Sequence, residues 1–318
     1  MAAEGDRIRR FNYTGEDDEV PDDATHVTVD ESVRVIPAWA FSRNPSIVEV
    51  ICDENVKGVE ECAFAKCPSL RRVIMPGVEI VEQCAFTDCK ALTDVECGKL
   101  EIIRGCAFHT CKSLGSINLP SAKIVEMGAF SDCTALADAK FGDKLESIKG
   151  VAFDNCPSLE RITIPLKDDM ITADDIFGFC GTLKHIDLVE GELHETIAAL
   201  HFEEWRNDMN EEIDSINRIL PTVDAGFSEE DDDVGGKVEA IRTWIRSVLG
   251  KIIHYKAEHQ RVLDEEVATT LEHSLSQDIV MNNVLPFLAL PSYTFEVEDY
   301  EEWEEEDYLD SEEEDREE

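Results

Sequence analysis

One aromatic residue recurs along the first half of this chain at an almost constant interval. It stands at the centre of seven similar blocks, of which "VEQCAFTDCKAL" and "IRGCAFHTCKSL" are two. The gaps between successive copies are 23, 22, 22, 22, 23 and 24 residues, and the copies are Phe41, Phe64, Phe86, Phe108, Phe130, Phe153 and Phe177. A fixed period of this length is typical of a repeat protein, in which each repeat buries its apolar side only against its neighbours.

The second half of each block predicts a short β-strand. An aliphatic residue follows the phenylalanine by six positions, and the ninth and eleventh positions are apolar with a freely varying residue between them, as in Leu114, Ile117 and Leu119. This alternation is typical of a strand with one buried face, and strands of successive turns would stack in parallel. Val27 and Val29 predict a further strand before the first block, which gives about eight stacked strands.

The consensus I-x-x-x-A-F-x-x-C-x-x-L-x-x-I-x-[LI]-P resembles the BspA-like leucine-rich repeats. The resemblance implies a leucine-rich-repeat solenoid of parallel β-strands, with about 7–8 repeats of 22–24 residues, and a binding role rather than a reaction. The C-terminal extension is similar to that of BspA-like proteins from diatoms. Bacterial members of the family are typically surface proteins, but this N-terminal sequence lacks the apolar core of a signal peptide. We therefore expect an intracellular location, either cytoplasmic or nuclear.

The pattern divides the chain into four expected regions. Residues 1–23 are expected to be disordered, and residues 24–190 are expected to form the solenoid. Residues 191–291 are predicted to be a helical capping or extension region, which contains an acidic loop at 221–236. Residues 292–318 form an acidic tail that is expected to be disordered, because like charges repel and little apolar surface is available.

Two stretches after the solenoid have the spacing of amphipathic helices. One covers residues 193–220, the other runs from Val238 to at least Tyr255, and the loop between them predicts an antiparallel hairpin. Phe202 and Trp205 are expected to cap the open core of the last turn, while a partner-binding role for the hairpin stays open. The basic residues of the second helix are interpreted as neutralising the acids of the protein itself.

All eleven cysteines occupy positions of the repeat. Zinc sites favour C-x-x-C pairs with histidine partners, whereas the spacing here follows the period of the coil. We therefore expect free thiols and no metal or other cofactor. Asn44 and Gly128 replace cysteine in two slots, which indicates that these slots require a small residue.

Charge and motif content argue against several functions. The net charge of -42 argues against nucleic-acid and membrane partners, because phosphate contacts need lysine and arginine. The sequence has no apolar run long enough for a transmembrane helix and no phosphate loop, G-x-S-x-G or H-E-x-x-H motif. We expect a non-enzymatic protein-interaction scaffold that binds a protein partner through the solenoid.

The partner-binding residues are expected on the concave face, at the two free positions that flank the middle apolar residue of each strand. They are Glu49, Ile51, Arg72, Ile74, Asp94, Glu96, Ser116, Asn118, Asp138, Lys140, Arg161, Thr163, His185 and Asp187. Arg72, Ile74 and Arg161 are expected to contribute most, because arginine and exposed apolar residues are favoured anchors. An ordinary solvated face is the alternative.

The segment "LSQDIVMNNVLPFL", Leu275–Leu288, supports a second hypothesis. It is similar to the opening of an F-box, although Ser276 replaces the expected proline. In this alternative the chain is an F-box-like substrate adaptor, in which the coil selects the substrate and residues 275–288 bind a ubiquitin-ligase subunit. A short amphipathic helix is the simpler interpretation of the same residues.

Overall fold

The computed structural model describes residues 8–15, 18–223 and 236–264, and in them the repeats form a coil of parallel strands followed by helices. The strands are β1 (Arg10–Tyr13), β2 (His26–Val29), β3 (Val35–Ile36), β4 (Glu49–Cys52), β5 (Gly58–Val59), β6 (Arg72–Ile74), β7 (Ile80–Val81), β8 (Asp94–Glu96), β9 (Ile102–Ile103), β10 (Ser116–Leu119), β11 (Ile124–Val125), β12 (Asp138–Phe141), β13 (Ser147–Ile148), β14 (Arg161–Ile164) and β15 (His185–Leu188). The helices are α1 (Glu192–Ala198), α2 (Glu203–Ile219) and α3 (Gly236–Val262), and a 3₁₀ turn covers Leu220–Thr222.

The coil carries one sheet system on each side of its core. The longer strands pair in two ladders, ordered β1-β2-β4-β6-β8 and β10-β12-β14-β15, and the two-residue strands pair as β13-β11-β9-β7-β5-β3. We call the outer surfaces of these strands the long-strand face and the short-strand face. In β4, Val50 and Cys52 are buried in the core, whereas Glu49 and Ile51 point outward. The predicted leucine-rich-repeat solenoid of parallel strands is therefore confirmed.

The coil begins earlier than the sequence predicts. Residues 10–13 lie in the segment that was expected to be disordered, yet they form β1 and pair in parallel with β2. Tyr13 is 1% exposed, and its ring centroid lies 4.8 Å from that of Phe41. The expectation of disorder is therefore wrong for residues 10–13. The repeat period does not mark this strand, because no phenylalanine block precedes it.

The seven repeat phenylalanines stack in one buried column. Each ring lies nearly parallel to the next, with centroids separated by 4.7 to 5.8 Å. The backbone follows the same step, because the N–H of Phe86 donates to the carbonyl of Ala107 in the next turn at 2.8 Å. Offset stacking of this kind adds a specific geometry to the burial of large apolar rings. The column therefore sets the period of the coil.

Six buried cysteines make the same hydrogen bond. Each thiol that follows a phenylalanine by three residues donates to the carbonyl oxygen of the phenylalanine one turn earlier, at 3.0 to 3.3 Å. Asn44, in the equivalent slot, donates from Nδ2 to the carbonyl of Pro21 at 3.2 Å. These slots therefore hold a small hydrogen-bond donor, and small size alone, as inferred from the sequence, is not the common property. All eleven cysteines are free.

A left-handed residue turns the chain two positions before six of the seven repeat phenylalanines. Cys62, Cys84 and Cys106 have φ angles of 55°, 56° and 55°, and Gly128 has 64° in the next turn. A left-handed conformation costs a non-glycine residue roughly 1–2 kcal/mol. The stacked core must offset this cost in the turns where the residue is not glycine.

The helical region differs in one respect from the prediction. The stretch 193–220 is divided into α1 and α2, because the chain bends between Ala199 and Phe202. Two hydrogen bonds hold the bend: Arg206 Nη1 donates to the carbonyl of Leu200 at 2.5 Å, and the N–H of His201 donates to His259 Nδ1 at 3.1 Å. Helices α2 and α3 then run antiparallel, as predicted.

The hairpin of α2 and α3 packs on the last turn of the coil and continues its core. The buried Nζ of Lys237 donates to the carbonyls of Leu183 at 2.8 Å and Leu220 at 3.0 Å. Phe202 and Trp205, which were expected to cap the coil, instead lie at the far end of the hairpin. Phe202 is 40% exposed, and Trp205 stacks on Tyr255 with a centroid distance of 5.4 Å.

Candidate protein-binding face

The fourteen residues predicted to bind a partner lie on the long-strand face in two rows. The register of the first ladder aligns Glu49, Arg72 and Asp94 in one row, and Ile51, Ile74 and Glu96 in the other. In the second ladder the rows are Ser116, Asp138, Arg161, His185 and Asn118, Lys140, Thr163, Asp187. The period therefore predicts where these side chains lie, and their binding role stays a prediction.

Arg72 lies within ion-pair distance of three carboxylates of this face. Its guanidinium nitrogens lie 2.5 Å from Glu96, 3.0 Å from Asp94 and 3.7 Å from Glu49. The hydrogen bond with Glu96, assisted by the three negative charges, raises the pKa of Arg72. Such exposed pairs contribute little to stability. Their main effect is to hold the guanidinium beside acids of its own sheet.

The cations of the second ladder also form ion pairs with acids of the same face. Arg161 hydrogen-bonds to Asp187 on the next strand, and this bond raises the pKa of Arg161. Lys140 Nζ lies 3.2 Å from Asp138 Oδ2. Arg72, Lys140 and Arg161 are therefore all paired with acids of their own strands or neighbouring strands.

Two isoleucines form an apolar spot between the charged rows. Ile51 and Ile74 are direct neighbours in the ladder between β4 and β6. Ile51 is 38% exposed, and Ile74 is half-buried. They are the only two of the fourteen predicted residues with aliphatic side chains. This spot offers a partner apolar contact area on an otherwise polar face.

A groove of about 720 Å³ lies where the second ladder meets the helices. Its strand side is formed by predicted residues, namely Asn118, Asp138, Lys140, Arg161, Thr163 and Asp187. The other side is formed by α1, α2 and the link before them, with Glu190, His194, Ile213, Asp214 and Asn217. Sequence reasoning missed this second side, because the position of α2 depends on how the hairpin docks and not on the repeat period.

Carboxylates outnumber cations in the groove. Four acidic side chains line it against two cations, Lys140 and Arg161, which are both already paired. Within the described ranges, Glu190 and Asp214 have no ionic partner. Oδ1 of Asp138 is enclosed without a hydrogen-bond partner. Because the acidic side chains of the groove exceed its cations by two, the groove is suited to a cationic group.

The basic side chains of α3 serve the protein's own acids, as the sequence indicated. Arg246 lies 3.4 Å from Asp168 of the coil. Lys251 lies 2.9 Å from Asp208 on α2, and its hydrogen bond, together with that of Tyr255, lowers the pKa of Asp208. The first contact joins the hairpin to the coil and the second joins α3 to α2, so these basic side chains do not form a separate binding patch.

Other candidate sites are not supported by the described structure. In the described residues, no group of three or more His, Cys, Asp or Glu side chains could hold a metal ion. None of the described helices has the length and apolar character needed to cross a membrane. The F-box-like segment 275–288 and the acidic tail 292–318 lie outside the described residues.

The fold and its repeated blocks define a leucine-rich-repeat protein. The model of the BspA type leucine rich repeat region matches in six copies, at residues 22–124 and 101–216, which together cover more than half of the chain. The chain therefore belongs to the BspA-type leucine-rich-repeat family. Proteins with this fold are commonly protein-interaction scaffolds and are generally non-enzymatic.

Several solved structures are similar to the chain. The leucine-rich repeat protein of T. pallidum is 26% identical, with a TM-score of 0.41, over 49% of this chain and 84% of that one. A leucine-rich cell surface protein of Faecalibacterium prausnitzii is 20% identical, with a TM-score of 0.27, over 54% and 61%. Human 5T4 is 13% identical, with a TM-score of 0.37, over 63% and 89%. No curated protein sequence matches the chain.

Proposed function

We propose that this protein is a non-enzymatic scaffold whose long-strand face binds a basic segment of a protein partner. The observation that supports this most directly is the groove between the second ladder and α2, where carboxylates exceed cations. Its volume of about 720 Å³ is in the usual range of concave ligand sites. A partner side chain that enters it would meet the carboxylates of Glu190 and Asp214, which have no ionic partner within the described residues.

Arginine fits this groove better than lysine. A guanidinium carries several N–H donors in a planar fork, and it can bind two carboxylate oxygens at once. Glu190 and Asp214 lie on the helical side of the groove, opposite the strand that carries Asp138. An arginine between the two sides would pair with acids from both, whereas the compact ammonium of lysine would reach fewer of them.

The apolar spot of the first ladder extends the same surface. Four strand steps separate Ile74 on β6 from Thr163 on β14, which corresponds to roughly 19 Å at the usual spacing of neighbouring strands. An extended peptide covers this distance with about six residues. We therefore expect a partner segment with an apolar residue at one end and an arginine about six residues away.

A displayed library of random peptides tests the proposal. Immobilised full-length protein should select peptides enriched in arginine, and the double change Asp138→Asn with Asp214→Asn should weaken their binding at least about tenfold. A chain of net charge -42 attracts any basic peptide, so the matched control removes two acids elsewhere. Glu79→Gln with Glu146→Gln, near the short strands, should leave binding unchanged. Equal losses in both variants, or selected peptides without basic residues, would contradict the proposal.

We further propose an intracellular location, which the state of the cysteines supports. All eleven are free, and free thiols in such number are typical of reducing compartments. Immunofluorescence and fractionation of the native cell check this. The protein should be found in the cytoplasmic or nuclear fraction, and recovery from the medium or the cell surface would refute it.

A further inference from the structure

The short-strand face carries a continuous row of outward-pointing residues, most of them aliphatic. The ladder register aligns them in the order Val35, Gly58, Ile80, Ile102, Ile124 and Ser147. Val35 is 41% exposed, and the three isoleucines are partly exposed. We call these six positions the aliphatic row. Partly exposed aliphatic side chains aligned over neighbouring turns are typical of a surface that another molecule covers.

Charged residues flank the aliphatic row on both sides. The residues directly before the short strands are Arg34, Lys57, Glu79, Glu101, Lys123 and Glu146. The residues directly after the strands, from the second short strand onward, are Glu60, Glu82, Arg104, Glu126 and Lys149. These two rows contain five cations and six anions, although the whole chain has a net charge of -42. The surface around the aliphatic row is therefore nearly neutral, whereas the chain as a whole is strongly acidic.

We propose that a second copy of this chain covers the aliphatic row, in a parallel pair related by a two-fold axis along the coil. Such a rotation places the residue before each short strand of one copy opposite the residue after the same strand of the other. Four of the five pairs of charged residues formed in this way have opposite signs, and they are Lys57 with Glu60, Glu101 with Arg104, Lys123 with Glu126, and Glu146 with Lys149. The fifth, Glu79 with Glu82, is a like pair.

The charge order also selects the parallel arrangement over its reverse. In an antiparallel pair the turns would meet in inverted order, so that Lys57 would face Lys123 and Glu79 would face Glu101. Like charges brought together at an interface are unfavourable, and complementary charges determine the register of a pair. The same patch would be used by both copies, as a closed two-fold dimer requires.

The charged residues beside the aliphatic row can contact a second copy, because their side chains remain accessible. Arg104 lies 2.7 Å from Glu126 within one chain, yet its side chain is 40% exposed. Lys57 and Glu79 lie 3.0 Å apart and are 45% and 47% exposed. Exposed ion pairs of this kind contribute little to the stability of the single chain. A second copy can therefore form ion pairs with the same residues at a small cost in free energy.

Sedimentation velocity of the full chain over a range of concentrations tests the proposal. The measurement needs about 0.15 M salt, because screening shortens the long-range repulsion between two acidic copies. We expect a reversible dimer whose fraction rises with concentration. Ile102→Lys should abolish the dimer, and circular dichroism should show that this variant stays folded. A wild-type chain that is monomeric at every concentration reached would overturn the proposal.

A gain-of-function variant keeps the test decisive if Ile102→Lys does not fold. A Cβ built at Gly58 lies 3.6 Å from the nearest Val35 methyl and meets only ordinary contacts. Gly58→Val should therefore be tolerated, fill the gap between Val35 and Ile80, and lower the dimer dissociation constant roughly tenfold. An unchanged dissociation constant would contradict the proposed interface.

A charge exchange tests the parallel register itself. Glu146→Lys alone should weaken the dimer, because it would face Lys149 of the other copy. Adding Lys149→Glu should restore the dimer at the wild-type net charge, and failure to restore it would count against this register. Ile51→Lys on the long-strand face is the matched control and should have no effect. A dimer that this control disrupts would use the other face.

Discussion

The thiol of Cys111 donates a hydrogen bond to the carbonyl oxygen of Phe86, one turn earlier in the coil, at 3.3 Å. The same carbonyl also accepts the N–H of Cys89. Cys97 is buried as well, but its thiol makes no hydrogen bond within the described residues, and burial alone raises the pKa of this thiol to about 12. The two cysteines therefore differ in one specific interaction.

Serine and alanine substitutions should distinguish these two sites. At Cys111 we expect serine to be tolerated better than alanine, because its hydroxyl keeps the bond to Phe86, which is worth about 1 kcal/mol. At Cys97 the order should be inverted, because a buried hydroxyl without a partner is unfavourable. Urea denaturation of the four variants measures this. The same order at both sites would mean that the bond has no energetic role.

The buried thiols should make the fold sensitive to alkali. Burial raises the pKa of Cys52, Cys97 and Cys133 from 9.0 to about 12. The folded chain therefore holds these thiol protons more tightly than the unfolded chain. The contribution of the neutral buried thiols to the free energy of unfolding is complete below pH 9, and it is lost as the pH rises from 9 to 12. Each such thiol should lower the free energy of unfolding by about 1.4 kcal/mol per pH unit in that range.

Urea denaturation at pH 8 and pH 10.5 checks the alkaline effect. The Cys97→Ala variant should lose less stability between the two values than the wild type, because one fewer thiol ionises on unfolding. An equal loss in both proteins would show that Cys97 does not contribute.

Phe41 should be as important for stability as a phenylalanine in the middle of the column. The repeat pattern alone predicts a milder effect, because Phe41 belongs to the first block. The structure places Tyr13 on one side of its ring at 4.8 Å and Phe64 on the other at 4.7 Å. We expect Phe41→Ala and Phe108→Ala each to cost about 3–5 kcal/mol in urea denaturation. A clearly smaller loss at Phe41 would show that β1 does not cover it in solution.

Lys237 should contribute more to stability than the exposed cations of the same helix. Its side chain is 3% exposed, and its Nζ donates to two backbone carbonyls, those of Leu183 and Leu220. Lys237→Met should therefore cost about 2–4 kcal/mol, since buried acceptors lose a charged donor. Arg246→Met is the matched control, and it should cost less than about 1 kcal/mol because its ion pair is exposed. Comparable losses in urea would argue against a buried link between hairpin and coil.

Arg161 gives a further test of the proposed partner chemistry. The sequence alone predicts that this arginine anchors the partner, so that its loss would weaken binding. Because Arg161 neutralises Asp187 inside the groove, we expect Arg161→Ser to strengthen binding of an arginine-containing peptide severalfold. Isothermal titration with a peptide selected on the wild type measures this. Weaker binding would indicate that Arg161 contacts the partner directly.

The repeat period predicts whatever every turn has in common. It places Val50 and Ile117 inside and Glu49 and Ser116 outside, because each turn repeats one local environment and a strand alternates its faces. The short strands had a usable signal too, since a pair such as Ile102–Ile103 begins six residues before each phenylalanine. Their outward row lies outside the predicted binding surface, which consists of positions on the longer strands.

Features that occur once, or that depend on tertiary contacts, are not visible in the period. The left-handed backbone of Cys84 depends on its place in the coil, because cysteine does not favour positive φ, and Gly128 in the equivalent slot is its one sequence signal. The groove needs Asp214 of α2 beside Asp138 of β12, and these residues meet only after the hairpin docks. Half of the candidate site could therefore be located from the sequence, and the other half required the fold.

The hydrogen bonds between the hairpin and the last turn have a consequence for how the sheet ends. Asn217 Oδ1 accepts the backbone N–H of Ile186 in β15 at 2.8 Å, and Arg242 Nε donates to the carbonyl of Ile171 at 3.1 Å. A last strand with unoccupied backbone groups is a template on which other extended chains can add. Removal of the hairpin should therefore produce open-ended aggregates that grow strand upon strand, and not a shorter soluble coil.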